Sequence, residues 1–299
     1  MKKRAFGIPQ SLKEQYPALG RAINRLPRCR ILYPLYLTDQ LFLMRETVFS
    51  PRVPVSFDGF SFAFVSDIHY GPLFSLRQKE RLSAFFARCG TDALILGGDL
   101  GMNTDHAARF LEEMRLPEHP EGAFAVFGNH ENMGGSTKNE IKSVLNAHGV
   151  RALLNERAFI RRGNESVDLR GFRDYFTSPG AQEDLDAARG DTFTVFIIHN
   201  PDQLVYWERI GRPVGFDLCL CGHTHGGQVA LFGHSVISSC AYGDRYRSGW
   251  YEAFGGRVLV SNGVGSSKMP VRLFVPPQAH VVTLRRSEQN KVERTSERL

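Results

Sequence analysis

The stretch SFAFVSDIH, residues 61–69, sets alternating aromatic and small apolar residues ahead of a carboxylate and an imidazole two positions apart. Its length and aromatic content read as a buried strand. Such a strand delivers Asp67 and His69 to its carboxyl end. The pattern recurs along the chain. DALILGGD at 92–99 ends in Asp99, GAFAVFGN at 122–129 in Asn129, and TFTVFIIHN at 192–200 carries His199 at its end. FDLCLCGH at 216–223 leads into Gly222-His223-Thr224-His225, and RVLVSNG at 257–263 is a further strand-like run.

Helical periodicity fills the gaps between the early strands. LRQKERLSAFFARCG at 76–90 stops at Gly90, which suits a left-handed C-cap. DHAARFLEEMRL at 105–116 is a second helix, and STKNEIKSVLNAHG at 136–149 a third, capped by Ser136 or Thr137 and stopped by Gly149. ERAFIRRGNESVDLRGF at 156–172 predicts a strand pair turning at Gly163-Asn164, followed by a polar loop. The order βαβαβα with further strands predicts an α/β layered fold. In such sheets the carboxyl ends of the strands form the ligand crevice, so residues far apart in sequence can converge there.

The residue types at those ends suit divalent metal ions. Neutral imidazoles and carboxylates bind borderline and hard ions, and no thiolate cluster competes. One carboxylate can bridge two ions, and an amide oxygen completes a shell without adding charge. Two ions about 3.5–4 Å apart can activate water and stabilise in-line displacement at phosphorus. Each signal alone is weak, and His106, His119, His148, His234 and His280 read as structural. Five signatures in one order, each ending an apolar run, are what carries weight.

Composition bounds the rest. The 299 residues suffice for one large domain, and 42% hydrophobic with 23% charged residues excludes general disorder. Residues 1–57 hold ten lysines and arginines against three acids, so the net charge of +6 belongs to this arm and the body is nearly neutral. We expect a basic N-terminal arm over 1–57, a catalytic domain over 58–285 and a polar, frayed tail over 286–299. Leu35, Leu37, Leu41, Phe42 and Met44 predict one face of a short helix in the arm. The segment at 31–44 is interrupted by Pro34, Asp39 and Gln40 and is too short to cross a bilayer. No apolar segment typical of a secretory signal follows the first basic residues. The expectation is a cytoplasmic protein, with the arm able to contact the inner face of a membrane as a peripheral partner. A nearly neutral body argues against nucleic acid. Five cysteines fit a reducing compartment, and Cys219 and Cys221 read as buried structural residues on one face of a strand.

The series D-x-H, G-G-D, G-N-H-E, a lone H and G-H-x-H resembles that of the calcineurin-like metallophosphoesterases. The resemblance spans about residues 58–285. It implies a four-layer αββα sandwich with a dinuclear metal site at the strand carboxyl ends. It implies one metal held by Asp67, His69, Asp99 and His225, and another by Asp99 as bridge, Asn129, His199 and His223. His130 then contacts the substrate phosphate and assists the leaving group, so that His130, Asn129 and Asp99 carry catalysis. Mn²⁺ is the expected ion, with Fe or Zn as alternatives. GHTHGGQ at 222–228, the stretch Tyr246–Tyr251 and SNGVGSSKMPVR at 261–272 resemble a bacterial subgroup. That subgroup includes membrane-associated phosphodiesterases and relatives of the UDP-2,3-diacylglucosamine hydrolases. Two departures stand out. The spanning helix common in the subgroup is missing, and Arg173 replaces an acid in Gly171-Phe172-Arg173-Asp174.

The implied activity is hydrolysis of a phosphodiester or pyrophosphate by a metal-bridging hydroxide, on a small-molecule or lipid-linked phosphate. A phosphomonoesterase, acting on nucleotides or proteins, and a non-catalytic metal-binding scaffold are the alternatives. Arg272 and Arg173, ahead of Arg245, Arg247 and Lys268, are the candidates to bind the remainder of an anionic substrate.

Overall fold

The computed structural model describes residues 39–132, 138–177, 186–236, 238–267 and 271–299. The strands are β1 (Phe42–Ser50), β2 (Ser61–Val65), β3 (Ala93–Leu96), β4 (Ala123–Ala125), β5 (Val150–Ala152), β6 (Glu156–Arg162), β7 (Glu165–Gly171), β8 (Phe193–Ile198), β9 (Leu218–Cys221), β10 (Ala230–Leu231), β11 (His234–Ser235), β12 (Gly249–Ala253), β13 (Gly256–Val260), β14 (Gln278–Arg286) and β15 (Lys291–Arg298). A 7-stranded sheet has the order β15-β1-β14-β2-β3-β4-β5, and a 6-stranded sheet the order β12-β13-β9-β8-β7-β6. β2 to β5 run parallel in the first, and β7, β8, β9 and β13 run parallel in the second.

The period-2 alternation of side chains sorts the core into layers. On β2, Phe62 and Phe64 face the second sheet, while Ala63 and Val65 face outward. On β9, Leu218 and Leu220 face the first sheet, while Cys219 and Cys221 face outward. Phe64 and Ile197 are fully buried between the sheets, and burying each contributes on the order of 1.5–3 kcal/mol. The helices α1 (Leu76–Cys89), α2 (Thr104–Glu113) and α3 (Lys138–Ala147) cover the outer face of the first sheet through Leu82, Phe85, Phe110 and Leu145. α4 (Asp202–Arg209) covers the outer face of the second through Leu204 and Trp207. The result is the expected αββα stack.

The helix boundaries follow from capping. Ser75 and Gln78 form a reciprocal capping box on α1, and Gly90 ends it with φ 55°. Asn103 caps α2 by accepting the His106 N–H. The expected caps of α3 at Ser136 and Thr137 lie outside the described residues. α4 is an element the sequence pattern did not announce. It is only eight residues long, too short to display a helical period.

Two expectations for the chain ends are corrected. Residues 42–50 form a strand of the main sheet, not helix, pairing parallel with β14 and antiparallel with β15. The face it turns between the sheets carries Glu46, Val48 and Ser50, while Leu43 packs in the outer layer, and the inward glutamate disguises the apolar alternation. The tail is likewise strand over Lys291–Arg298. It is almost wholly exposed and charged, the composition that shields a sheet edge from further pairing. The remainder of the basic arm, 1–38, lies outside the described residues. Among the described residues no helix is long and apolar enough to cross a membrane.

Candidate metal centre

Parallel strands from both sheets end at one place. β2 runs on to Asp67 and His69, β3 to Asp99, β4 to Asn129 and His130, β8 to His199, and β9 to His223 and His225. Leaving the strand direction abruptly requires unusual backbone. Asp67, His69, Asp99, His223 and His225 all adopt left-handed conformations, with φ between 48° and 66°. Each such residue costs on the order of 1–3 kcal/mol, a strain typical of functional sites. Gly98 and Gly128 let the two sheets approach: a Cβ on Gly98 would lie 2.6 Å from the Gly128 nitrogen and 2.8 Å from His199 Nδ1.

The side chains converge tightly. His69 Nε2 lies 3.0 Å from His225 Nε2 and 3.6 Å from Asp99 Oδ2. His225 Nε2 lies 3.6 Å from Asp67 Oδ1. On the other side, His199 Nε2 is 3.3 Å from both Asp99 Oδ2 and His223 Nδ1. Three groups therefore have ligand atoms within 4.8 Å of one another: Asp67-His69-His225, His69-Asp99-His130 and Asp99-His199-His223. His69 is shared by the first two groups and Asp99 by the last two. The Asn129 Oδ1 atom is buried without a hydrogen-bond partner, an acceptor that a cation would satisfy. This donor set of imidazole, carboxylate and amide oxygen fits divalent ions. Asn129 and His130 are only half-buried, while the other members are buried, so the site opens beside them.

Electrostatics follow from that crowding. Burial pushes Asp67 up to about 6, with His199 opposing the shift. Burial would also raise Asp99, but His199 and His130 hold it well below the carboxylate range. His199 is raised well above the usual imidazole range: burial opposes its charge, and Asp99 overcomes that. His69 and His225 are held well below, mainly by burial, and His223 falls to about 3 for the same reason. Without metal, the centre is thus an Asp99–His199 ion pair surrounded by neutral imidazoles. His199 Nδ1 donates to the Gly97 carbonyl at 2.8 Å, which aims Nε2 at Asp99.

Three residues matter here that sequence reasoning missed or misjudged. Glu131 accepts the backbone N–H groups of Asp99, Leu100 and Gly128 at 2.9, 2.6 and 2.8 Å. Its signal was present, as a carboxylate three residues after Gly128 within the G-N-H-E series. Asp174, buried at the end of β7, keeps Oδ1 without a partner while Thr177 donates to Oδ2. Arg272 is the correction. It is fully buried, donates to the carbonyls of Asn262, Gly263, Gly265 and Val275, and places Nη2 3.3 Å from His225 Nδ1. Its guanidinium supports His225 from behind and does not face solvent, so the expected substrate contact is withdrawn. Arg173 is half-buried, its backbone N–H held by Asn155. Arg245 pairs with Glu208, and Arg247 with the Gly226 carbonyl. Lys268 lies outside the described residues.

Residues 60–227 match the model of the calcineurin-like phosphoesterases. The chain belongs to that family. It is accordingly a metal-dependent phosphoesterase, a hydrolase acting on phosphate-containing substrates. The metallophosphoesterase YkuE of Bacillus subtilis is 27% identical over 259 residues, covering 85% of this chain and 89% of YkuE. The phosphodiesterase YaeI of Escherichia coli is 31% identical over 214 residues, covering 69% of this chain and 76% of YaeI. Among solved structures, an archaeal phosphodiesterase aligns with TM-score 0.42 and 9% identity, over 80% of this chain and 100% of that one.

Proposed function

We propose that this phosphoesterase cleaves a phosphodiester or pyrophosphate bond. The observation that carries the reading is the position of Asp99, whose carboxylate lies between two groups of donors. Asp67, His69, Asp99 and His225 would hold one ion, and Asp99, Asn129, His199 and His223 the other. Mn²⁺ is the ion we favour, with Fe or Zn as alternatives. Bound there, the ions supply Lewis-acid activation of water and of the phosphoryl group.

The chain's own residues do the rest. Asp99 stays ionised, which suits a shared ligand. Asn129 adds an oxygen without charge, leaving net positive potential for a phosphate. His130 is tethered by Nδ1, 3.0 Å from the Met102 carbonyl, and its backbone N–H donates to Asp99 Oδ1 at 2.8 Å. With Nδ1–H held by that carbonyl, the doubly protonated ring would donate its Nε2 proton to the departing oxygen at the open side of the site. The half-buried rim at His130 and the exposed Phe176 ring, 6.2 Å from His223, leave room for a second substituent on phosphorus. A lipid-linked nucleotide is one substrate of this shape, and the similarity to YaeI, named a phosphodiesterase, supports the diester reading.

The test compares bis-p-nitrophenyl phosphate with p-nitrophenyl phosphate in Mn²⁺. The diester should turn over faster, and His130→Ala should lower kcat while metal content is retained. Preference for the monoester would replace the reading with a phosphomonoesterase.

A further inference from the structure

A second polar chain lies buried behind the metal centre, and none of its members is a candidate ligand. Glu46 on β1, His280 on β14 and Ser261 at the end of β13 are 3%, 1% and 0% exposed. His280 Nδ1 lies 3.0 Å from Glu46 Oε2, and His280 Nε2 lies 2.9 Å from Ser261 Oγ. Trp250 Nε1 donates to the other Glu46 oxygen at 3.1 Å. Ser261 Oγ accepts the Gly263 N–H at 3.0 Å. A buried carboxylate is costly unless its hydrogen-bonding capacity is met, and this one is met from two elements, by His280 on β14 and Trp250 on β12.

The far end of the chain of contacts touches the site. Residues 261–265 run beside the end of β2: Val264 N–H donates to the Ser66 carbonyl at 3.1 Å and Gly265 N–H to the Asp67 carbonyl at 2.7 Å. Gly263 has φ 68°, and a Cβ there would lie 2.5 Å from the Asp67 Cβ. The carbonyls of Asn262, Gly263 and Gly265 hold the Arg272 guanidinium against His225. One short loop thus backs both Asp67 and His225.

We infer that Glu46, His280 and Ser261 form a positioning relay that fixes the 261–265 loop and, through it, Asp67 and His225. In the neutral ring, Nδ1–H donates to Glu46, which leaves Nε2 to accept the Ser261 hydroxyl. The hydroxyl in turn orients its lone pair toward Gly263. β1 is therefore part of the centre, although it lies outside the residues 60–227 that define the family match. Outer partners of this kind typically change metal affinity by roughly 10–100-fold when removed.

Full-length Ser261→Ala, Glu46→Leu and Glu46→Gln test the relay. Amide exchange over 261–266 is read on metal-free protein, and Mn²⁺ affinity by calorimetry well below the melting temperature. Ser261→Ala and Glu46→Leu should each speed exchange in that segment, leave β9 protected, and weaken Mn²⁺ binding about tenfold. The double variant should be no worse than either single one, because both break one chain. Glu46→Gln should stay near wild type. Its carbonyl still accepts from Trp250, and its amide donates to Nδ1 with the imidazole proton moved to Nε2. Wild-type exchange and a Mn²⁺ Kd within twofold of wild type in both disrupting variants would overturn the relay. The affinity arm rests on the metal centre proposed above; the exchange arm does not, and neither depends on which phosphate bond is cleaved.

Discussion

The carboxylate of Glu131 accepts the backbone N–H of Asp99 at 2.9 Å, tying the end of β4 to the end of β3. The same carboxylate takes the Leu100 and Gly128 amides, so three buried donors depend on one side chain. Asp99 holds its left-handed backbone partly through this contact. Leaving buried donors unsatisfied costs about 1–3 kcal/mol each. Glu131→Ala should therefore lower stability by about 2–4 kcal/mol, allowing for partial rescue by water. Urea unfolding of the metal-free protein measures it. A loss below about 0.5 kcal/mol, the range of an ordinary surface change, would show the contact to be incidental.

Proton linkage in the metal-free protein has a definite sign. Asp67 and Glu131 are raised to about 6 and about 7, from 3.8 and 4.5, both chiefly by burial. Between those values the folded state binds more protons than the unfolded, so stability falls as pH rises through the window. His199, raised well above 6.5 because Asp99 outweighs its burial, acts in the same direction: its contribution is present in acid and lost as pH climbs through its folded value. Asp99 is depressed and matters only below its ordinary 3.8. His69, His223 and His225, held low chiefly by burial, act in the opposite direction below about 6.5, because the unfolded chain then binds protons that the folded one refuses. Above it only the raised groups act, so the metal-free protein should melt higher at pH 7 than at pH 8.5. Saturating Mn²⁺ should reverse the order, because metal binding requires His199 to release its proton. Scanning calorimetry at both pH values, with and without Mn²⁺, checks the crossing; equal melting temperatures without metal would sink it.

Asp99→Asn separates a shared carboxylate from an ordinary one. The amide keeps the shape but offers one neutral oxygen, which serves two ions poorly. Bound Mn²⁺ should fall by at least one equivalent per chain, with turnover reduced by at least about a hundredfold. Elemental analysis of dialysed protein reads the first and diester hydrolysis the second. Undiminished metal content would place Asp99 outside the shared position.

The layers and the centre were legible in sequence because both depend on local pattern. Phe62 and Phe64 alternate with Ala63 and Val65, and that alternation alone sorts β2 between two layers. Asp67, Asp99, Asn129, His199 and His223 each directly follow an apolar run, so their place at strand ends could be read from position. What stayed hidden depends on partners distant in sequence. β1 carries Glu46 on its inward face, and only His280 and Trp250 make a glutamate acceptable there. β15 is held to β1 by backbone pairing, to which its charged side chains give no clue. Arg272 read as a substrate contact because it lies in the family-like stretch SNGVGSSKMPVR; the carbonyls that enclose it come from a turn seen only in three dimensions.

Arg272 also yields the sharpest contrast between two readings. A substrate-binding arginine, when removed, raises KM and leaves the metals in place. The structure puts this guanidinium beneath His225, with burial lowering it to about 9 against the opposing pull of Asp67. Arg272→Ala should therefore lower metal affinity and kcat, shift KM less than twofold, and destabilise the fold by about 3 kcal/mol or more, since several buried carbonyls lose their donor. Arg272→Lys keeps the charge but loses the planar fork that spans those carbonyls, so it should recover only part of the metal affinity. Steady-state kinetics at saturating Mn²⁺, paired with calorimetric metal titration, separates the two. A tenfold rise in KM with unchanged metal affinity would return Arg272 to the substrate.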